Sequence, residues 1–352
     1  MRRRLLILLV CAAAAACTSQ SESAPGAPAT PAPGAHLVER TQLTMGSELH
    51  LFAWTADDAR ALAAFDSVFN EFDRLDGLLS VWRDGSDVVR VNQAAGDHAV
   101  AVGPDILQVL RVARQVSECT DGKFDVTFGA LSDVWKFDQD QDNVVPGPEQ
   151  IRARLPLIDY RRVIVREDDH TVTLARRGMR MHLGGIGKGY AVDRGVALLR
   201  AAGIHDFMIQ AGGDFYVSGL RGDRPWRIGI RDPRGPADRS FAALDLSDGT
   251  FSTSGDYERS FMKDGRRYHH ILDPGTGQPA QGCRSVTIVA NQATLADGLS
   301  TGVFLLGPVK GMALIERLPD VEGVIVSSTN EVLVSSGLKG KLLMIAPPTD
   351  GS

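Results

Sequence analysis

The sequence predicts an α+β fold in which mixed β-sheets are flanked by helices, organised as a single two-lobed domain. Three observations carry that expectation. Short strand-like runs dominate the middle of the chain, between and after stretches with helical apolar spacing. No Pro/Gly-rich linker interrupts residues 40–345. No segment repeats at a fixed period, which sets aside solenoids and propellers.

The elements follow in order. Arg2, Arg3 and Arg4, an apolar run at 5–10 and alanines up to Cys17 have the charged, hydrophobic and small-residue order of a secretory signal. Polar residues 18–20 end the stretch short of the roughly 20 apolar residues a membrane span needs. The alanines and Cys17 resemble a bacterial lipobox, which makes residues 1–16 a lipoprotein signal peptide and Cys17 the lipidated first residue. Removing the three arginines takes the formal charge from −5 to −8. Residues 17–35 read as a Pro/Ala/Ser tether, because residues 18–35 hold four prolines and no large apolar side chain. Thr18, where an inner-membrane retention signal has Asp, resembles the outer-membrane sorting pattern, so the expected location is the periplasm-facing bacterial cell envelope.

The folded domain is expected over 36–350. It opens with an alternating strand at 43–54, followed by a helix to about residue 80 whose start is a capping box between Thr55 and Asp58. Phe65, Val68, Phe69, Phe72, Leu75 and Leu79 form the buried stripe of that helix. A second helix starts near Pro104 and stops before Gly122, and a third follows Gly187 and ends at Gly203. Strands are expected at 162–165, 171–175, 207–209, 226–230, 242–246 and 286–290. Helices at 295–306 and 310–318 and a hairpin over 323–334 close the domain.

Composition narrows the function. With 43% hydrophobic and 23% charged residues, the chain is ordinary globular protein. A pI near 5.9 and no basic run beyond the first four residues argue against nucleic acid as a partner. Four cysteines, none spaced CxxC, exclude a disulfide framework and a structural zinc site, and Cys119 and Cys283 read as thiols at least as readily as a pair.

Four motifs carry chemistry. Residues 183–191, LGGIGKGYA, lie between strand and helix, where glycines let amides approach phosphate. They match neither GxGxxG nor the Walker pattern, so tight packing is the alternative reading. Gly212-Gly213-Asp214 is either a site or a turn in which Asp accepts backbone bonds. Residues 252–259, STSGDYER, precede His269 and His270, which on a strand face opposite ways, so at most one enters a site. Asp297 and Thr301 share a helix face and offer oxygen to a hard cation such as Mg²⁺; alternatively Asp297 closes a capping box with Thr294.

Taken together these motifs resemble the ApbE-type flavin transferases, the FAD:protein FMN transferases. The resemblance rests on Met45-Gly46-Ser47, residues 79–83 (LSVWR) with Asn92, Asp125-Val126-Thr127, Trp135-Lys136-Phe137, GGIGKGYAVD at 184–193, GGD at 212–214, the STSGDYER run, HILDPGTGQP from His270, and ADGLSTG from Ala296. It implies a flavin site between two lobes, FAD as substrate, Mg²⁺ at its diphosphate, and transfer of FMN to a Thr or Ser hydroxyl with release of AMP. It implies Mg²⁺ ligation by the Gly185 carbonyl, Asp297 and Thr301, and FAD contacts by Met45, Trp82, Trp135, Lys136, Phe137, Lys188 and Ala191. His270 is implied as the base for the acceptor hydroxyl. Acceptors of such enzymes carry an Asp-x-x-Ser/Thr-Gly-Ala-Ser/Thr motif, as in subunits of membrane redox complexes; residues 125–131 of this chain do not match it. Three positions depart from the family pattern: Trp82 for Tyr, Gly187 for Ala, and His182 for an Asp near the expected cation. A pyrophosphatase giving FMN and AMP, or a lipoprotein that only binds FAD, would share most of these motifs.

Overall fold

The computed structural model describes residues 33–351. The signal peptide, Cys17 and nearly all of the tether lie outside the described residues. In chain order the protein runs β1 (His36–Thr44), β2 (Ser47–Thr55), α1 (Asp58–Leu79), α2 (Asp87–Gln93), β3 (Val100–Ala101) and α3 (Pro104–Cys119). After the 3-10 segment Val126–Leu131 come α4 (Pro148–Arg154), β4 (Val163–Arg166), β5 (Thr171–Leu174), α5 (Gly187–Ala201), β6 (Phe207–Ala211) and β7 (Asp214–Ser218). The remainder is β8 (Trp226–Arg231), β9 (Ser240–Leu246), β10 (Asp248–Gly255), β11 (Ser260–Lys263), β12 (Arg266–His269), β13 (Cys283–Ala290), α6 (Ala293–Leu306), α7 (Pro308–Ile315), β14 (Glu322–Ser327), β15 (Val332–Val334) and β16 (Leu343–Met344).

One eight-stranded sheet, in the order β1-β2-β6-β7-β10-β13-β14-β15, organises the molecule, and each neighbouring pair in it is antiparallel. Strand side chains alternate between faces. Ile209, Val286, Ile288 and Ile325 point to a core shared with α1, α3, α5 and α6, whereas Val217, Phe251, Val324 and Val326 point to the other face. There they meet Trp226, Ile228, Ile230, Phe241 and Leu244 of the sheet β16-β9-β8. The third apolar cluster, Leu131, Trp135, Phe137, Ile151, Phe261 and Leu272, builds a lobe around the β11–β12 hairpin. The α+β expectation therefore holds, with helices on one face of the large sheet and a small sheet on the other. No described helix is long and apolar enough to cross a membrane.

Several local expectations change. The single opening strand is a hairpin: Met45 (φ 48°) and Gly46 (φ 71°) both take left-handed backbone, the geometry of a two-residue turn whose twist matches its strands. Alternation runs through such a turn, and Met is not a turn residue, so the break was invisible. Helix α1 is capped by Asp57, which accepts from the Arg60 amide, while Thr55 accepts from the Asp57 amide instead of closing a box with Asp58. The expected stripe of α1 is buried throughout. Helix α2 and strands β7, β10, β11 and β12 were not anticipated. Cys119 and Cys283 are free thiols, Cys283 buried, its thiol pushed up to about 12 mainly by burial.

Candidate active site

A cavity of about 570 Å³ opens between the helix layer and the β11–β12 lobe, within the size range of small-molecule sites. Gly185, Lys188, Asp297, Thr301, His270, Trp82, Trp135 and Phe137 all line it. Three expected FAD contacts do not. Ala191 is wholly buried in the main core. Met45 packs beside that core from its turn, and Lys136 turns to Asp142 at 3.4 Å. A motif marks which segment reaches a site, but on a helix or strand adjacent residues face different ways.

The glycine loop is shaped from within. Ile186 and Gly187 donate their amides to the Leu183 carbonyl. Gly189 donates to Asp297 Oδ2 at 2.9 Å. A Cβ at Gly189 would lie 2.3 Å from the Ala293 carbonyl oxygen, so only glycine permits this approach of α5 to α6. On α5, Asp193 accepts from the Ala293 and Thr294 amides and from the Thr294 hydroxyl, and so caps α6 from outside the helix. That overturns the capping alternative for Asp297: Thr294 is already held by Asp193, and Asp297 lies within the helix. Burial, then the charge of Asp214, push the Asp297 carboxyl up, and Lys188 pulls the other way.

Lys188 meets Asp214 at 3.2 Å, and Asp214 also accepts from Ser252 Oγ at 2.5 Å. Asp214 is thus a buried counter-ion and not the turn residue that its GGD setting suggested; its charge is also what raises Lys188 most. Arg259 pairs with Asp138 across the cavity and packs beside Gly46. His182 accepts from the Gly184 amide at Nδ1, 3.0 Å, the same bond to residue i+2 that an Asp makes in an Asx turn. The departure from Asp therefore keeps the loop's shape while giving up a negative charge, and burial holds His182 below its usual pKa.

The two histidines part as expected. His269 is buried, donates Nε2–H to the Ala280 carbonyl at 2.8 Å and packs edge-on against Phe304. His270 lines the cavity with Nδ1 buried and unpartnered among the described residues. Burial first, then Arg259, His269 and Lys188, hold it well below its ordinary pKa, so it is neutral at pH 7.

The oxygen donors at the glycine loop suit a small hard cation. Gly185 is so close to Thr301 that a Cβ there would stand 3.3 Å from the Thr301 hydroxyl, filling the space between loop and helix. Asp297 Oδ1 takes no hydrogen bond among the described residues, and no three His, Cys, Asp or Glu side chains there gather as a metal cage. One carboxylate, a hydroxyl and a carbonyl match the way Mg²⁺ is shared between protein and phosphate oxygens.

Comparison with known proteins agrees with this architecture. The Treponema pallidum "FAD:protein FMN transferase" is 33% identical over 322 residues, covering 87% of this chain and 89% of that one. The crystal structure of the ApbE protein from Thermotoga maritima (TM-score 0.80, 32% identity) and the solved structure of the flavin transferase ApbE from Vibrio cholerae (TM-score 0.79, 29% identity) each match 87% of this chain and 99% of their own. The ApbE family profile matches residues 45–325. With the fold, the order of the motifs and the sequence match in agreement along most of its length, the chain belongs to the ApbE family.

Proposed function

We propose that this protein transfers FMN from FAD to a Thr or Ser hydroxyl of a target protein in a Mg²⁺-dependent reaction that releases AMP. The observation that carries the proposal is the meeting on one cavity of a single-carboxylate oxygen site (Gly185, Asp297, Thr301), a half-buried lysine paired with Asp214, and a neutral histidine. The relatives that bear the name FAD:protein FMN transferase support the reaction class. Asp297, Thr301 and the Gly185 carbonyl would hold the cation. Bound there, Mg²⁺ supplies Lewis-acid polarisation of the diphosphate.

The chain's own groups do the rest. Lys188, held by Asp214, offers an ammonium to phosphate oxygens. Trp82, half exposed on the cavity wall, offers a flat apolar surface to an aromatic ring. His270, uncharged at neutral pH, takes the proton as the acceptor Oγ bonds to the riboflavin-side phosphorus. The bond from that phosphorus to the bridging oxygen breaks and AMP departs with that oxygen. In-line placement and charge neutralisation are what phosphoryl transfer chiefly needs.

We further propose that Cys17 carries lipid and that the domain faces the periplasm, with the outer membrane favoured. The acceptors proposed are periplasm-exposed segments of membrane redox subunits. The direct test incubates the pure domain with FAD, Mg²⁺ and an acceptor domain bearing the Asp-x-x-Ser/Thr-Gly-Ala-Ser/Thr motif. A fluorescent flavin band that survives denaturing electrophoresis and vanishes with EDTA is expected. A band that forms equally without divalent metal would reject the metal-dependent reaction.

A further inference from the structure

A run of hydroxyls joins β10 to α6 at the wall of the cavity, which Ser254 and Thr301 both line. Ser252 and Ser254 are two apart on β10 and so project from the same face of the strand towards α6. Ser254 Oγ lies 3.1 Å from Thr301 Oγ1 and 2.7 Å from Ser300 Oγ. Ser300, fully buried, donates to the Asp297 carbonyl at 2.9 Å. Ser252, also buried, gives its proton to Asp214 and lies only at 3.4 Å from Ser300.

Each hydroxyl has one proton, so the contacts can be ordered. The Ser252 proton is committed to a carboxylate, and the Asp297 carbonyl can only accept, so Ser300 must donate to it. Ser300 then has only lone pairs for Ser254, and Ser254 donates to Ser300. That leaves Ser254 with lone pairs for Thr301, and Thr301 donates to Ser254. The relay runs from Thr301 through Ser254 and Ser300 to the Asp297 carbonyl, and it commits the Thr301 hydrogen to Ser254, leaving the Thr301 lone pairs free.

We propose that Ser254 and Ser300 are positioning residues that fix the Thr301 hydroxyl with its lone pairs facing the cation site. This rests on the metal reading above and adds a requirement to it. A hydroxyl free to rotate would spend part of its time presenting a proton to a cation, which must be displaced before the oxygen can ligate. A hydroxyl anchored by an acceptor behind it is already oriented. The relay also ends on the carbonyl of Asp297 itself, so the two side-chain ligands of one helix face are tied through a single set of bonds.

The experiment is Mg²⁺ titration calorimetry on the FAD-free domain, with a melting curve of each metal-free variant. Ser254→Ala should weaken Mg²⁺ binding by about 10- to 100-fold, the usual cost of losing a partner behind a metal ligand, with the metal-free melting temperature nearly unchanged. Ser254→Thr, which keeps the hydroxyl, should bind within about threefold of wild type on the same reasoning. Ser300→Ala tests the same relay one step further back and should also weaken binding. If Ser254→Ala and Ser300→Ala bind Mg²⁺ as wild type does while Thr301→Val does not, the relay is overturned and the metal site stands. Loss of affinity in Ser254→Thr equal to that in Ser254→Ala also overturns it. If Thr301→Val and Asp297→Asn bind as tightly as wild type, the metal reading itself fails.

Discussion

Replacing Asp297 by Asn separates a cation ligand from a structural carboxylate. The side chain is 4% exposed and accepts one backbone bond, from Gly189. Burial and the neighbouring Asp214 raise its pKa in the metal-free protein. The folded state therefore keeps a proton that the unfolded chain has lost, and the sign follows. Stability from this group is complete below the unfolded value near 3.9 and declines as pH rises towards the raised folded value. Each unit of that displacement is worth about 1.4 kcal/mol, so at neutral pH the buried carboxyl, which must hold a proton that the unfolded chain has lost, is a net cost. Asn keeps an oxygen for Gly189 and has no charge to bury. Metal-free Asp297→Asn should melt at or above wild type at pH 8, by roughly 2 °C for each kcal/mol recovered, and the advantage should shrink towards pH 5. Saturating Mg²⁺ should reverse the order, since a ligand at 100 times its Kd stabilises by about 2.7 kcal/mol, and only wild type should gain it. Differential scanning fluorimetry across pH with and without Mg²⁺ reads both effects. A metal-free variant less stable than wild type at pH 8, or one stabilised by Mg²⁺ as much as wild type, would refute the reasoning.

Thr301→Val keeps the branched shape and deletes the oxygen, so the Mg²⁺ concentration for half-maximal transfer should rise; an unchanged requirement counts against ligation. His270→Ala should slow transfer by about 10² to 10⁴ with FAD affinity kept, and the acid limb of the wild-type rate profile should fall below pH 6.5 because burial depresses this imidazole. His269→Ala should lower stability instead, since its ring holds the Ala280 carbonyl and packs on Phe304. Asp193→Ala strips α6 of its cap and should cost about 1–2 kcal/mol in chemical denaturation, with the Mg²⁺ affinity loosening as the helix end frays. Cys17→Ser in the full-length chain should abolish lipidation and membrane partitioning, read by detergent phase separation.

Much of the domain was legible because its helices are strongly periodic. The stripe from Phe65 to Leu79, the Gly187 start and the Gly203 stop of α5 all follow from local rules. The strands β7 and β10 were not legible: Asp214 and the polar run Ser252 to Ser254 read as turn or motif, and it is burial against α6 that makes them strand. In the candidate site, most residues named by motif lie on segments that meet at the cavity, but the pairs that hold them were hidden. Asp193 lies 100 positions before Ala293, and Lys188 lies 26 before Asp214, distances that only the fold closes. Ser254 and Ser300 stood inside quoted motifs, but only the packing of β10 on α6 shows that they meet each other and Thr301. Ala191 was drawn into the site by its place in the glycine motif, though its side chain faces the core.

The central claim is that the phosphorus of FAD is delivered to protein and not to water. The measurement is the ratio of AMP released to FMN bound covalently, taken from one reaction by chromatography of the small molecules and intact-mass spectrometry of the acceptor. The account predicts one AMP for each flavinylated acceptor, little free FMN, and loss of both products in Asp297→Asn. AMP accompanied by an equal amount of free FMN, with the acceptor mass unchanged, would contradict it and make the protein a pyrophosphatase.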